Sequence, residues 1–331
     1  MKDHHKRSTL QGLIQASLLA TLAAASGGAF AQAQTLADRP ITFIVPFAAG
    51  SATDQLARAI GLGVTQQTQQ AVVIENRPGA NAFIGAQAAR VAKADGYTVF
   101  ISTNTTQAAN EHLYKKLPYD PVKDFDPITS LGRGGQILVV NPKLPVHNVA
   151  ELVAYAKARP GKVTFGSGSS SSRVAGEMFR QLSDTDIVSV PYKSNPPAVT
   201  DLIGGQIDMM ITDMATGLPQ VQSGKLKALG VSTRKRSPLA PDVPTIDEAG
   251  VKGYEMTYWF AAYVPAGTPA PLISRLNDLL VKAAHGPAAA SFYQSTGTEI
   301  FTGSPDDLKR FQAAESLKWG RIIKAAGIDP E

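Results

Sequence analysis

Apolar residues in this chain fall into two alternating rhythms. Short, nearly unbroken apolar runs predict strands: "ITFIVPF" from Ile41, "AVVIENR" from Ala71, "YTVFIST" from Tyr97, "QILVVNP" from Gln136, "KVTFGSG" from Lys162, "IVSVPY" from Ile187, "QIDMMIT" from Gln206, "LKALGVST" from Leu226 and "MTYWFAAYVP" from Met256. Several are apolar throughout rather than alternating, as strands covered on both faces of a parallel sheet are. Helical spacing lies between them. Leu56, Ile60 and Val64 recur every four residues, and Val149, Leu152, Val153 and Ala156 follow the i, i+3, i+4, i+7 pattern, as do Leu272, Ile273, Leu276 and Leu279 with one extra residue. Ser304-Pro305-Asp306-Asp307 supplies a helix start, with an N-cap, a proline at the first helical position and acids in the first turn, and Gly327 supplies the stop. Strands alternating with helices predict an α/β fold with mostly parallel sheets.

Two segments share one plan. "ITFIVPFAAGSATDQLARAI" and "KVTFGSGSSSSRVAGEMFRQL" each run strand, small-residue loop, helix, about a hundred residues apart. They are expected to be equivalent loops in two lobes. "QILVVNPKLP" and "TYWFAAYVPAG" are apolar strands that end in proline-containing turns, and each is a candidate crossing between lobes.

Composition adds an address. The 331 residues are 44% hydrophobic and 18% charged, an ordinary globular balance. The first residues depart from it: a basic "MKDHHKR", an apolar "LIQASLLATLAAA" and a small-residue "GGAFAQAQT" predict a secretory signal peptide over 1–33, cleaved after Ala31 or Ala33. The apolar core is shorter than the roughly 20 residues a membrane-spanning helix needs. The chain has no cysteine, so it carries neither disulfides nor a lipid on an N-terminal Cys. A freely diffusing periplasmic protein is expected. Of the net charge of +5, the signal's Lys2, Lys6 and Arg7 against Asp3 account for +2, leaving +3. The one dense basic cluster, "TRKRS" at 233–237, is short and lacks aromatics, which argues against a nucleic-acid partner.

Loops at the carboxyl ends of parallel strands are where such sheets bind ligands, and a following helix aims unpaired N–H groups there. Three loops qualify: Ala48 to Ser51, Ser102 to Thr105, and Gly166 to Ser172. All are uncharged and rich in donors, which points to one anion such as a carboxylate. Asp54 heads the first helix, either as a cap that fixes the loop or as a ligand contact. Arg173 opens the second helix, to pair with a ligand carboxylate or to lie in solvent. Tyr192, Lys193 and Ser194 follow another strand, with Lys193 a candidate for a distal anion. Asp213 ends "MMITD", placed to accept from loop amides. Tyr258 and Trp259 read as core or hinge packing.

Catalytic and cofactor motifs are missing. His4, His5, His112, His147 and His285 show no metal-binding spacing. The serine loop reads G-S-G-S-S rather than G-x-S-x-G, and neither a Walker A nor a G-x-G-x-x-G follows the first strand. No metal or cofactor is indicated. A serine hydrolase that reaches His112 or His147 through space is the alternative enzyme reading.

The sequence resembles the Bug-type extracytoplasmic solute receptors of tripartite tricarboxylate transporters. The resemblance spans nearly the whole chain after the signal: "RPITFIVPFAAGSATDQLAR", "VVIENRPGANAFIGAQ", "DGYTVFISTN", "LYKKLPYDPVKDFDPI", "LVVNPKLPV", "VPYKSNPPAVTDLIGGQIDMM", "GKLKALGVSTRKRSPLAPDVPTIDEAG" and "KWGRIIKAAGI". It implies a two-lobe periplasmic binding protein, type II-like, with two crossover strands. With the pattern above, it places lobe 1 at 39–136 plus 257–331 and lobe 2 at 137–256. It implies a monomeric receptor, not an enzyme, that captures a small organic acid, a di- or tricarboxylate, and delivers it to membrane permease subunits. Carried over by position, its contacts are Phe47, Ala49, Ser51, Thr53 and Asp54, with Thr103 and Asn104, and from the other lobe Ser167, Gly168, Ser169 and Ser170, with Asp213 nearby. Gly50, Arg173 and Tyr192 join them from the strand-end reading. Two departures alter the pocket wall. Gly50-Ser51 stands where the family has Gly-Gly, and "GSGSSSS" where it has Ala and Asn. "SATDQLAR" with "GSGSSSS" is similar to members associated with aromatic acids such as terephthalate. A ligand-presenting accessory of a membrane sensor kinase would use the same pocket.

Overall fold

The computed structural model describes residues 39–331, so the signal-peptide expectation lies outside the described residues. Nine strands fall on the nine apolar runs: β1 (Ile41–Val45), β2 (Val72–Asn76), β3 (Thr98–Thr103), β4 (Phe125–Val140), β5 (Thr164–Ser167), β6 (Val188–Pro191), β7 (Met209–Asp213), β8 (Lys227–Val231) and β9 (Thr257–Pro265). The helices between them are α1 (Ala52–Thr68), α2 (Phe83–Arg90), α3 (Asn110–Leu113), α4 (Val149–Lys157), α5 (Ser170–Leu182), α6 (Asn195–Gly204), α7 (Met214–Gln222), α8 (Ala270–His285), α9 (Pro287–Thr296) and α10 (Pro305–Ala325). The fold is α/β, with two sheets that share β4. The strand order is β2-β1-β3-β9-β4-β7-β5-β6, with β8 on β4.

β1 pairs in parallel with β2 and β3, and β5 with β6 and β7. The antiparallel pairs gather around β4 and β9. β4 lies against β9 from Phe125 to Gly135, then exchanges that partner for β7 and β8 from Gln136 onward. The chain returns to the first sheet at Thr257, which pairs with Gly135. The sequence pattern finds only the second half of β4. Its first half, "FDPITSLGRGG", carries Pro127 and three glycines, which weaken a strand signal. The structure shows why they are there. The register slips between Pro127 and Thr129 and between Ser130 and Gly132. A Cβ on Gly132 would come within 2.8 Å of Thr298, and one on Gly134 within 2.8 Å of the Tyr258 hydroxyl.

The helical spacing delivers the buried face of α1: Leu56, Ile60 and Val64 are buried and join Ile41, Phe43 and Val45 of β1 in one core. On the other sheet, Val199, Leu202 and Leu218 pack on Ile137, Val139 and Met210. On α8 the spacing is right in part: Leu272 and Leu276 are buried, Ile273 and Leu279 are half-buried, and Leu280 completes the stripe. Ser304 and Asp307 cap α10 reciprocally, with Pro305 at its first turn. Polar anchors then dock α10 on the centre of the fold. The buried Trp259 Nε1–H donates to Glu315 Oε2 at 3.0 Å, and Gln312 Nε2 donates to the carbonyls of Gln107 and Pro121 at 3.1 and 3.0 Å.

Glu315→Ala leaves the Trp259 indole N–H buried without an acceptor, at a cost of about 1–3 kcal/mol. Urea unfolding is expected to show a lower midpoint with an unchanged slope.

Candidate functional site

The loop after β1 is a tight turn built to start a helix. The Ser51 N–H donates to the Ala48 carbonyl at 3.1 Å, with Gly50 at φ +79°. Ser51 Oγ accepts from the Asp54 N–H at 3.3 Å, which leaves the Ala52 and Thr53 N–H groups with no partner in the helix. Asp54 works inside the loop. Its carboxylate accepts from Gly50 N–H (2.9 Å), Asn76 Nδ2 (3.0 Å) and Arg58 Nε (3.0 Å). Burial pushes this carboxyl up, but the bonds from Arg58, Gly50 and Asn76 outweigh it and hold the pKa below its ordinary value.

The serine run divides its labour. Ser169 caps α5 by accepting from the Ser172 N–H at 3.2 Å. Ser172 Oγ ties the loop down, accepting from the Gly168 and Ser169 N–H groups, each at 3.0 Å. Ser170 and Ser171 reach to the other sheet's loops. Ser170 Oγ meets Asn81 and Asn110, and Ser171 Oγ accepts from Asn104 Nδ2 at 2.8 Å. The next helix start adds a further bridge, with Ser194 Oγ accepting from the Ala48 N–H at 3.3 Å. Pro196 and Pro197 carry no N–H, so Asn195 holds the free donor of that turn. Asp213 caps α7, accepting from the Thr216 N–H at 2.8 Å, and its other oxygen accepts from Asn195 Nδ2 at 2.8 Å. Gly168 is where two of these turns touch. A Cβ there would lie 2.1 Å from the Ser194 carbonyl carbon.

These turns enclose a cavity of about 40 Å³. Phe47, Ser51, Ala52 and Thr53 line it from the first loop, Thr103, Asn104 and Thr105 from the second, and Ser169, Ser171, Ser194 and Asn195 from the second sheet. Its floor is Gln136, Asp213, Tyr258 and Phe260. Asp213 is the one charged residue among them, and its carboxylate is already committed to capping. Burial, and then the Asp213 charge, push the Tyr258 hydroxyl far above its ordinary pKa. Three buried side-chain oxygens on this cavity, Thr105 Oγ1, Gln136 Oε1 and the Tyr258 hydroxyl, have no hydrogen-bond partner.

Ser169 also lines a larger groove of about 590 Å³ beside the cavity. Ser167, Arg173, Tyr192 and Lys193 lie on that groove, with Asn81 and Glu331 opposite. Arg173 forms an ion pair with Glu331. The Tyr192 hydroxyl donates to Asp201 at 2.8 Å, and burial with that neighbour pushes its pKa up to about 12.

Of the residues singled out in the sequence, the cavity brings together Phe47, Ser51, Thr53, Thr103, Asn104, Ser169 and Asp213. Ser167, Arg173 and Tyr192 lie on the outer groove. Ala49 and Gly50 are exposed at the turn. Asp54, Gly168 and Ser170 line neither space: Asp54 and the Gly168 N–H are spent on loop structure, and Ser170 on the contact between sheets. Thr105, Ser171 and Ser194, parts of the candidate strand-end loops, line the cavity too, while sequence reasoning missed Gln136 and Asn195 and read Tyr258 as packing. The Ser-Asn-Pro-Pro start of α6 was the available signal for Asn195. Gln136 carried none, since it opens an apolar run.

The chain matches the family of tripartite tricarboxylate transporter receptors over residues 56–328. It is 34% identical to protein BugT of Bordetella pertussis over 92% of this chain and 95% of that one. Among solved structures, an R. palustris protein determined with adipate is 35% identical with a TM-score of 0.86, covering 89% of this chain and 100% of that one. MatC from Rhodopseudomonas palustris, determined with bound malate, is 28% identical with a TM-score of 0.81, covering 86% of this chain and 99% of that one.

Because hydrogen bonding lowers the Asp54 pKa on folding, its contribution to stability is present above the ordinary value of 3.8 and is lost as pH falls through the folded value. The stability difference between wild type and Asp54→Asn is therefore expected at pH 7 and should shrink below about pH 3.8, as followed by thermal melts across pH. Gly168→Ala is expected to force Ser194 away from the serine loop and weaken ligand binding by tenfold or more, a loss of about 1.4 kcal/mol read by calorimetry.

Proposed function

We propose, from the premise that this chain belongs to the tripartite tricarboxylate transporter receptor family, that it captures a small dicarboxylate between its lobes and delivers it to the permease subunits of such a transporter. It is a solute-binding receptor and works in the periplasm as a monomer. The lobes are residues 39–136 with 257–331, and residues 137–256. The exchange of β4 partners at Gln136 and the re-entry of the chain at Thr257 support those joints.

One observation carries the reading. Helix-start residues of both sheets, whose first N–H groups have no partner within their helices, line one cavity on which no lysine or arginine lies. Such donors suit a carboxylate, and each charge-assisted bond contributes about 1.5–3 kcal/mol. The ligand-binding residues are then Phe47, Ser51, Thr53, Thr103, Asn104 and Ser169, joined by Ala52, Ser171 and Asn195. Asp54, Gly168 and Asp213 shape the loops around them.

A cavity of about 40 Å³ holds a carboxylate and little more. The rest of the acid would pass Ser169 into the outer groove, where Arg173 and Lys193 meet the second carboxylate in place of Glu331. The relatives determined with adipate and malate favour a dicarboxylate. An aromatic diacid such as terephthalate would use the same two ends. The hydrolase alternative lacks a base, as no histidine lines the cavity beside its serines.

A thermal-shift screen of aliphatic and aromatic mono-, di- and tricarboxylates tests the proposal, since a ligand that binds only the folded form raises Tm. Dicarboxylates are expected to raise it most. Arg173→Ala should weaken them by roughly tenfold and leave monocarboxylates nearly unchanged. Failure of every acid to shift the melt would overturn the reading.

A further inference from the structure

The donor-rich walls account for a carboxylate, but the floor of the cavity is chemically different. Gln136 and Asp213 are directly opposed across β4 and β7, so their side chains are neighbours on one face. Ser232 fixes Gln136 at its backbone. Its hydroxyl accepts from the Gln136 N–H at 2.7 Å, and its own N–H donates to the Gln136 carbonyl at 2.9 Å. The side chain is 1% exposed, and its Oε1 has no partner. Thr105 Oγ1 and the Tyr258 hydroxyl are also buried on this cavity without a partner, but each carries a proton that it can donate to a carboxylate, so Gln136 Oε1 alone requires a donor from the ligand. The amide oxygen can only accept, and leaving such a group buried and unpaired is costly. A bare carboxylate has no proton to offer it.

We infer that the captured acid bears a hydrogen-bond donor, a hydroxyl or an amino group, on the carbon next to its buried carboxylate, and that Gln136 Oε1 selects for it. This rests on the receptor reading above and narrows it. The carboxylate takes the helix N–H groups of α1 and α5. The substituent points to the floor and satisfies Gln136. The neighbouring Asp213 charge favours a donor there over any second anionic oxygen. A site built to pair with a ligand donor discriminates strongly against the analogue that lacks it, because its buried acceptor is then left unpaired.

Calorimetry on the full mature chain with matched acids reads this directly: succinate, malate and aspartate, then glutarate and 2-hydroxyglutarate, then adipate and 2-hydroxyadipate. At whichever length binds, the hydroxy or amino acid is expected to bind at least tenfold more tightly than the unsubstituted acid. Malate against aspartate tells hydroxyl from amino. Gln136→Met, close in volume, should erase most of that ratio while changing the unsubstituted acid's affinity far less. The melting temperature of the ligand-free Gln136→Met protein should stay level or rise, because an unpaired polar group is removed; a purely structural glutamine would lower it. Equal affinity within each matched pair would overturn the inference and leave the receptor reading intact. So would a uniform loss for all acids in the variant. Absence of binding by every acid would overturn both.

Discussion

An anion taken out of water must be paid for by hydrogen bonds, and here they come from helix starts that the fold leaves unfinished. Ser51 and Ser169 each cap one N–H of their helix and leave the first ones open. Ala52 and Thr53 of one helix start and Ser171 of the other line one small cavity. With no lysine or arginine lining it, the site can hold a negative group without carrying an unpaired buried cation when empty. Almost every other feature of the region serves to keep those turns in place.

Asp54 and Ser172 play matching parts in the two lobes. Each accepts N–H groups from the loop that precedes its helix, and each is buried. The glycine at 168 lets the serine loop lie on the backbone of Ser194 and Asn195, so that a third helix start enters the cavity. Polar bridges from Ser170, Ser171 and Ser194 to Asn81, Asn104, Asn110 and Ala48 then join the two sheets around it. They are short-range and uncharged. On the proposed reading, a ligand that spans both sides adds to them and so favours the arrangement that brings the two sheets' loops together.

The architecture was legible because it rests on periodicity. Continuous apolar runs became strands, and Leu56, Ile60 and Val64 became the buried face of α1. The first half of β4 was not legible, since its glycines and Pro127 answer to neighbours such as Tyr258 and Thr298 that only the folded chain supplies. The loops after β1, β3 and β5 were readable from their small polar residues. Which serine does what was not: Ser170, Ser171 and Ser172 are identical in sequence, yet one bridges sheets, one lines the cavity and one ties the loop. Gln136 was hidden for another reason. Its importance comes from where β4 changes partners, and no local pattern marks that point.

The central claim is that backbone donors of the two lobes grip one carboxylate. Amide NMR during titration with a dicarboxylate tests it most directly. The account predicts the largest shifts at the N–H groups of Ala52, Thr53, Ser171 and Asn195, saturating together at one affinity. Shifts confined to the outer groove around Arg173 and Lys193, with those four amides unmoved, would contradict it.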